Sequence, residues 1–516
     1  MRSGLRIWAL LAACELSVAG AGASAPAASS PQVRIGQGVL AGAAVGEVEH
    51  FFNIPFAAAP TGALRWRAPG PAPRWPGVRD AARFGPGCPQ PVRPALVAGG
   101  VADNQSEDCL QLNIWRPKSA RKLPVMVWVH GGANILGSGT FPVFDGSAFA
   151  RQDVILVTIN YRLGALGFFA HPALTAEARR GEAFGNYAMM DQLAALRWLK
   201  TNIVAFGGDP KQVTLFGESA GAIGVSTLLA NPEAKGLFAR AIIQSGVGLL
   251  DPRTLAEQEA LGTQLAERAG AGPAATPAAL RALSVDALLA APTDRAAGMV
   301  APFIDGRLIR EAPWRVLARS EPIDVPLMVG ANSNEASVIL AMGVPPAAAR
   351  AYVGADMVAA TAVYGADLPE EEFARQVLGD AWFVAPARWL AERTQRGAPS
   401  YLYHFDYVAA ARRARSKGAA HGSEIPYVFG TLDYLAALVP PVEAEDRAFS
   451  DGLVGCWASF AKRGVPTCPL VPDWPRYSSP DDSLALFAPQ SRVVRGFRGP
   501  QLDLLLRVHA KEHLPQ

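Results

Sequence analysis

The chain has 516 residues, half of them hydrophobic, and carries 48 Lys and Arg against 45 Asp and Glu, a net charge of +3. That length and apolar share supply a large core, while the even charge balance, with no basic block, excludes a nucleic-acid surface. After the N-terminal stretch no apolar run reaches spanning length, so no internal membrane span is expected.

Arg2 and Arg6 precede an apolar run, Ile7 to Ala13, and a tract rich in Ala, Gly and Ser then extends to Ser30. This is the order of an export signal followed by a tether. Two versions fit equally. Leu11-Ala12-Ala13-Cys14 resembles a bacterial lipoprotein cleavage box with Cys14 as the lipidated residue. Ordinary cleavage at Ala19-Gly20-Ala21 or Ala21-Gly22-Ala23 is the alternative, although Glu15 interrupts the apolar run. The expected location is outside the cytoplasm: secreted, periplasmic, or lipid-anchored to a bacterial envelope. With no internal repeat and no linker beyond residue 31, the expected organisation is a leader and tether over 1–30 and one large domain over 31–516.

From Val33 to Ala57 short apolar pieces alternate with glycine and read as strands and turns. Pro60 to Pro76, dense in Pro, Gly, Arg and Trp, reads as irregular surface chain. Leu110–Trp115 alternates as a strand does, whereas Leu123–Val129 and Val154–Asn160 are continuous apolar runs of the kind found in central parallel strands covered on both faces. Tyr187 to Asn202 has helical spacing, with Met189, Leu193, Leu196 and Leu199 on one side. Val213–Glu218 is again strand-like, Ala220–Ala230 helix-like, and Ala241–Ser245 a further strand. Helical pattern over 251–300 leads to a strand at Val325–Gly330. More helix over 345–395 leads to the last clear strand, Tyr401–Val408. A helix over 446–463, short strands and a terminal helix close the chain. Strand–helix alternation of this kind predicts an α/β fold with a large, mostly parallel sheet covered by helices on both faces.

Apart from Cys14, the cysteines are Cys88, Cys109, Cys456 and Cys468. They form two sequence-local pairs, which suits two disulfides in an oxidising compartment, though four cysteines allow three pairings. A bridge across the 88–109 loop would contribute about 3 kcal/mol. His509 and His513 have a zinc-like spacing, but no cysteine pair lies near them to complete a site, so no metal is expected.

The turn between strand and helix at Gly217-Glu218-Ser219-Ala220-Gly221 is a Gly-x-Ser-x-Gly elbow. A serine at neutral pH is a poor nucleophile; it reacts when held exposed on a tight turn beside a base and near amide donors. The elbow alone is weak evidence in a glycine-rich chain, so its partners decide. Of His50, His130, His171, His404, His421, His509 and His513, only the last four follow the elbow and an intervening acid. His404 falls inside a strand and reads as packed. His509 and His513 lie on the terminal Leu-rich stretch and read as a solvated face. His421, in a Gly-flanked loop after the last clear strand, is the expected base. Glu335 follows a strand end and a polar turn and is the expected acid, while Asp305 and Asp324 read as turn residues. His130-Gly131-Gly132-Ala133, at the end of another central strand, offers amides for an oxyanion, together with that of Ala220.

These motifs bring the chain into resemblance with the type-B carboxylesterases, the cholinesterase-like carboxylesterases of the α/β-hydrolase fold. The resemblance covers nearly all of residues 33–510. It rests most on Glu107-Asp-Cys-Leu-Gln-Leu-Asn113 and on Phe206-Gly-Gly-Asp-Pro210 followed by the elbow. Ile54-Pro-Phe-Ala57, Asn160-Tyr-Arg-Leu-Gly164, Gly185-Asn186 with Asp191-Gln192, and Gly330-Ala-Asn-Ser-Asn-Glu335 add to it. It implies a Ser219, Glu335, His421 triad, an oxyanion hole from the Gly132, Ala133 and Ala220 amides, and a Cys88–Cys109 bridge. Ser245 and Glu424 match positions the family uses as supports near the triad, and Glu218 is grouped with them. It implies hydrolysis of small-molecule carboxylic esters through an acyl-enzyme, with no cofactor.

Two departures bear on specificity. Where many relatives have Gly-Gly-Gly-Phe, this chain has Gly131-Gly132-Ala133-Asn134, which puts a polar group where an aromatic wall is usual. No aromatic residue lies between Cys88 and Cys109, so the face that a quaternary ammonium needs is missing from that loop and choline esters are disfavoured. The same chemistry serves an amidase, a thioesterase or a polyester or toxin hydrolase. A non-catalytic binding protein on the same fold, as in the neuroligin-like relatives, is the other class of reading, against which the intact Ser219, Glu335 and His421 speak. A histidine base further predicts that kcat/KM falls below about pH 6–7.

Overall fold

The computed structural model describes residues 30–91, 104–179, 181–290, 300–319, 323–434 and 441–513. The leader expectations, Cys14 included, lie outside the described residues. So do the side chain of His513 and the middle of the 88–109 loop.

The apolar runs become strands and their order sets the architecture. The strands are β1 (Gln32–Ile35), β2 (Gly38–Ala41), β3 (Ala43–Val45), β4 (Val48–Pro55), β5 (Val78–Asp80), β6 (Gln111–Pro117) and β7 (Leu123–Val129). They continue with β8 (Ile155–Ile159), β9 (Gly208–Glu218), β10 (Arg240–Gln244), β11 (Leu327–Asn332), β12 (Ser400–Phe405), β13 (Ser483–Phe487) and β14 (Arg492–Arg495). β1, β2 and β5 make a small separate sheet. The other eleven form one sheet in the order β14-β13-β12-β11-β10-β9-β7-β8-β6-β4-β3. From β13 through β8 every neighbouring pair is parallel; antiparallel pairing is confined to the two ends.

Parallel strands need crossovers, and the helices supply them. The helix Tyr187–Asn202 spans the residues its spacing predicts. A short 3-10 turn and Gly207, at φ 81°, then reverse the chain into β9. Each face of the sheet carries its own apolar layer. One gathers Val125, Val127, Leu215, Ile243 and Val329 with Leu193 and Leu196; the other gathers Met126, Trp128, Phe216, Ile242 and Met328 with Phe429, Trp457 and Phe460. Alternate side chains of the same strands enter opposite layers, which is why these runs are apolar without a break.

Two expectations are sharpened and one is corrected. Both local cysteine pairs are bridged, Cys88–Cys109 and Cys456–Cys468. The last clear strand stops at Phe405, short of Val408. His509 is not on a solvated face: it is buried, its ring 5.3 Å from that of Trp314 and nearly perpendicular to it. The terminal helix packs its Leu-rich side inward and takes His509 with it. Among the described residues, no helix is long and apolar enough to cross a membrane.

Candidate active site

The site forms where three parallel strands end side by side. β9 ends at Glu218 and the next residue, Ser219, adopts φ 54° and ψ −124° before the helix Ala220–Leu229 begins. A serine at positive φ is strained and persists only where its surroundings fix it. Here its amide donates to Gln244 O at 2.9 Å and its carbonyl accepts from Ile223 at 2.9 Å. The flanking glycines are steric requirements. A Cβ at Gly221 would collide with the Val129 and His130 carbonyl oxygens, and one at Gly217 would come within 2.7 Å of Val129 O.

β10 ends one strand over, and the residue after it, Ser245, also has positive φ, at 55°. Its hydroxyl donates to Glu335 Oε1 at 2.5 Å, and the Asn332 amide donates to the same oxygen at 2.6 Å. Glu335, just beyond β11, is fully buried, and its other oxygen meets His421 Nδ1 at 2.5 Å. The His421 loop is tied to the acid's loop by an Asn334–Ala420 bridge and by a 3.0 Å bond from the His421 amide to Ser337 Oγ.

The other imidazole nitrogen does not bond the serine. His421 Nε2 has no hydrogen-bond partner and lies 3.0 Å from Glu218 Oε1, so the link to Ser219 is unformed. Such links are often loose before substrate binds. Burial alone would lower the imidazole's pKa; the nearby Glu218 and Glu335 carboxylates more than offset this and raise it to about 9. Burial pushes Glu218 in turn up to about 8. Both carboxylates favour the protonated imidazole, so for a reaction with His421 as base the acid limb is expected to move upward from the ordinary imidazole range.

Glu424 is buried and takes hydrogen bonds from Asn332 Nδ2 at 2.6 Å and Gln244 Nε2 at 3.0 Å. Gln244 is itself held by Trp457 Nε1 at 3.0 Å. Sequence reasoning missed Gln244 and Trp457, which no local motif marks, and gave no separate role to Asn332, although it lies inside the Gly330–Glu335 motif. It also missed Phe383, whose ring lies 4.9 Å from that of His421. Phe383 projects from a π-helical turn, Asp380–Val384, a rare local geometry that sequence spacing does not announce.

The third wall is the loop after β7. His130 is fully buried and neutral, its pKa lowered to about 4 by desolvation, and its carbonyl accepts from Tyr161 Oη at 2.6 Å. Gly132, Ala133 and Asn134 follow at φ 103°, 53° and 58°. Gly131 has no room for a Cβ, which would meet Glu218 Oε2 at 2.5 Å. Asn134 is buried, and its side-chain amide donates to Val300 O at 3.1 Å.

The other candidates take structural places. His404 is buried in β12 against Phe497. Asp305 caps a turn, accepting from the Arg307 and Leu308 amides at 2.7 Å each, and Asp324 accepts from the Ala398 amide at 2.7 Å. Among the described residues, no cluster of His, Cys, Asp and Glu has the makings of a metal site.

A strained serine on an elbow, a buried histidine–carboxylate pair beside it and a glycine-rich amide loop opposite make an arrangement suited to acyl transfer. Comparison with known proteins agrees. The carboxylesterase family model matches residues 29–364 and 366–505. The chain is similar to the fumonisin B1 esterase of Sphingopyxis macrogoltabida, 38% identical over 459 residues, covering 84% of this chain and 82% of that one. It is also similar to the para-nitrobenzyl esterase of Bacillus subtilis (strain 168), 35% identical over 461 residues, covering 85% and 91%. Among solved structures, a PNB esterase superposes with a TM-score of 0.80 at 31% identity, covering 92% of this chain and all of that one.

Proposed function

The chain belongs to the carboxylesterase family, with an α/β-hydrolase fold, and is a carboxylic ester hydrolase; from that premise we propose an exported serine esterase whose nucleophile is Ser219, with His421 as base and Glu335 as its acid. Ser219 Oγ attacks the ester carbonyl as His421 Nε2 takes its proton. Glu335 holds Nδ1 and stabilises the imidazolium. The Gly132, Ala133 and Ala220 amides receive the developing oxyanion. The C–O bond then breaks, His421 returns the proton to the leaving alkoxide, and water repeats the sequence on the acyl-enzyme to free the acid.

The observation that carries this reading is the convergence of Ser219, His421 and Glu335, from three separate loops, at the ends of neighbouring strands. Ser245 and Glu424 serve as supports, the one bonded to the acid and the other packed beneath the histidine loop. We read residues 31–516 as one catalytic unit. Two disulfides suit export, and the N-terminal pattern supplies its signal, with Cys14 as a lipid anchor in one version. The relatives' names speak of esters as different as fumonisin B1 and para-nitrobenzyl compounds, so the acyl and alcohol groups are read from a small ester panel. N-terminal mass analysis separates a lipid anchor from free secretion.

Ser219→Ala is expected to lower turnover on an aryl ester by on the order of 10⁶. An organophosphate should add its mass to the Ser219 peptide alone. Substantial activity in the alanine variant, or no labelled peptide, would sink the assignment.

A further inference from the structure

We propose that Asn134 is a positioning residue, holding the oxyanion loop in register by clasping it to the segment Val300–Asp305. The proposal rests on the oxyanion-hole reading above.

Three consecutive residues, Gly132, Ala133 and Asn134, have left-handed backbone. For alanine this backbone is strained, and asparagine bears it more easily. A run of this kind persists only where something outside it fixes the chain. Asn134 is tied at both ends. Its carbonyl accepts from the Gly164 amide at 2.7 Å, and its side-chain amide donates to Val300 O at 3.1 Å, across 166 residues of sequence.

The far side of the clasp is firmly built. Asn186 Nδ2 donates to Phe303 O at 2.8 Å, and Asn186 Oδ1 accepts from the Phe303 amide at 3.1 Å. The Ile304 amide donates to Arg253 O at 2.8 Å. Asp305 is locked into its turn by the Arg307 and Leu308 amides. Asn134 therefore couples a strained loop to an anchored strap. A phenylalanine at this position has no amide to donate, so the exchange that removes the aromatic wall also creates the tether. The amides of Gly132 and Ala133 sit directly ahead of the tethered residue, and a donor displaced by about 1 Å can cost 10²-fold in rate.

The test compares Asn134→Gly with the parent enzyme. Glycine enters the left-handed region freely, so this variant removes the clasp without adding backbone strain. Asn134→Asp, nearly isosteric, replaces the donor with an acceptor facing Val300 O, and gives the same reading if the glycine variant does not fold. Three quantities are measured: kcat and KM on a short alkyl ester, the affinity of a trifluoromethyl ketone, and Tm. With the ketone, Ser219 Oγ adds to the carbonyl carbon, its proton passes to His421, and the ketone oxygen becomes the anion in the hole. The expected result is a kcat lowered roughly 10- to 100-fold, KM within about twofold, and ketone affinity lowered by the same factor as kcat. A lower Tm with kcat and ketone affinity within about twofold of the parent would leave Asn134 a purely structural residue and overturn the proposal. A raised KM at constant kcat would overturn it too, by assigning Asn134 to ground-state binding. Failure of the triad reading itself shows separately, as turnover surviving in Ser219→Ala.

Discussion

Glu218 brings a second buried carboxylate to the imidazole that Glu335 already holds. Three carboxylates, Glu218, Glu335 and Glu424, act on His421, and all of them favour its protonated form. A base must be neutral to act, so with His421 in the proposed role their charge is expected to move the acid limb of kcat/KM upward. Glu218 acts by charge, Glu335 by both charge and its hydrogen bond, and burial pushes the Glu218 carboxyl itself up to about 8, so the profile reports the pair rather than either residue. Glu218→Gln is therefore expected to shift the limb to lower pH by about one unit or more, with relatively more activity retained in acid. A limb that stays in place in a pH–rate profile of the purified variant would show that Glu218 does not reach the base. Ser219 and His421 were picked out as candidates in sequence from a motif and from chain order. The charge state around them was not, because it depends on how far buried side chains from distant loops approach one another.

The elbow is an element whose geometry leaves no slack. Gly221 packs directly under the end of β7, with the Val129 and His130 carbonyls where a Cβ would sit. Gly221→Ala must push strand and helix apart, and overpacking of this kind costs about 1–3 kcal/mol. A lower Tm together with reduced turnover is expected, since the same movement shifts Ser219; an unchanged Tm and rate would show that the turn has room. The strands were legible because a buried parallel strand needs an unbroken apolar run, as Leu123–Val129 and Ile155–Ile159 supply. The π turn at Asp380–Val384 was not, since a one-residue excess in a helix leaves the apolar pattern nearly unchanged. That turn nevertheless places Phe383 on the catalytic histidine proposed here.

Across the whole molecule the two disulfides staple segments that the sheet holds only indirectly. Cys88–Cys109 spans 21 residues and Cys456–Cys468 spans 12. Each is expected to contribute about 3 kcal/mol by restricting the unfolded chain. Serine replacement of either pair should lower the denaturant midpoint, and reduction of the parent protein should lower it further; no change on reduction would show that the bridges add nothing. The sequence by itself determined the fold class, the main central strands along the chain, the elbow, and the two loops that carry the candidate acid and histidine. These are written in contiguous residues, where apolar period, turn chemistry and motif spacing act locally. Only the tertiary structure decided that His509 packs on Trp314, that His421 Nε2 faces Glu218 before substrate arrives, and that the Asn134 amide is spent on Val300. Each of those is a contact between residues far apart in the chain, and a hydrogen bond or a buried charge acquires its partner only when folding has brought the two together.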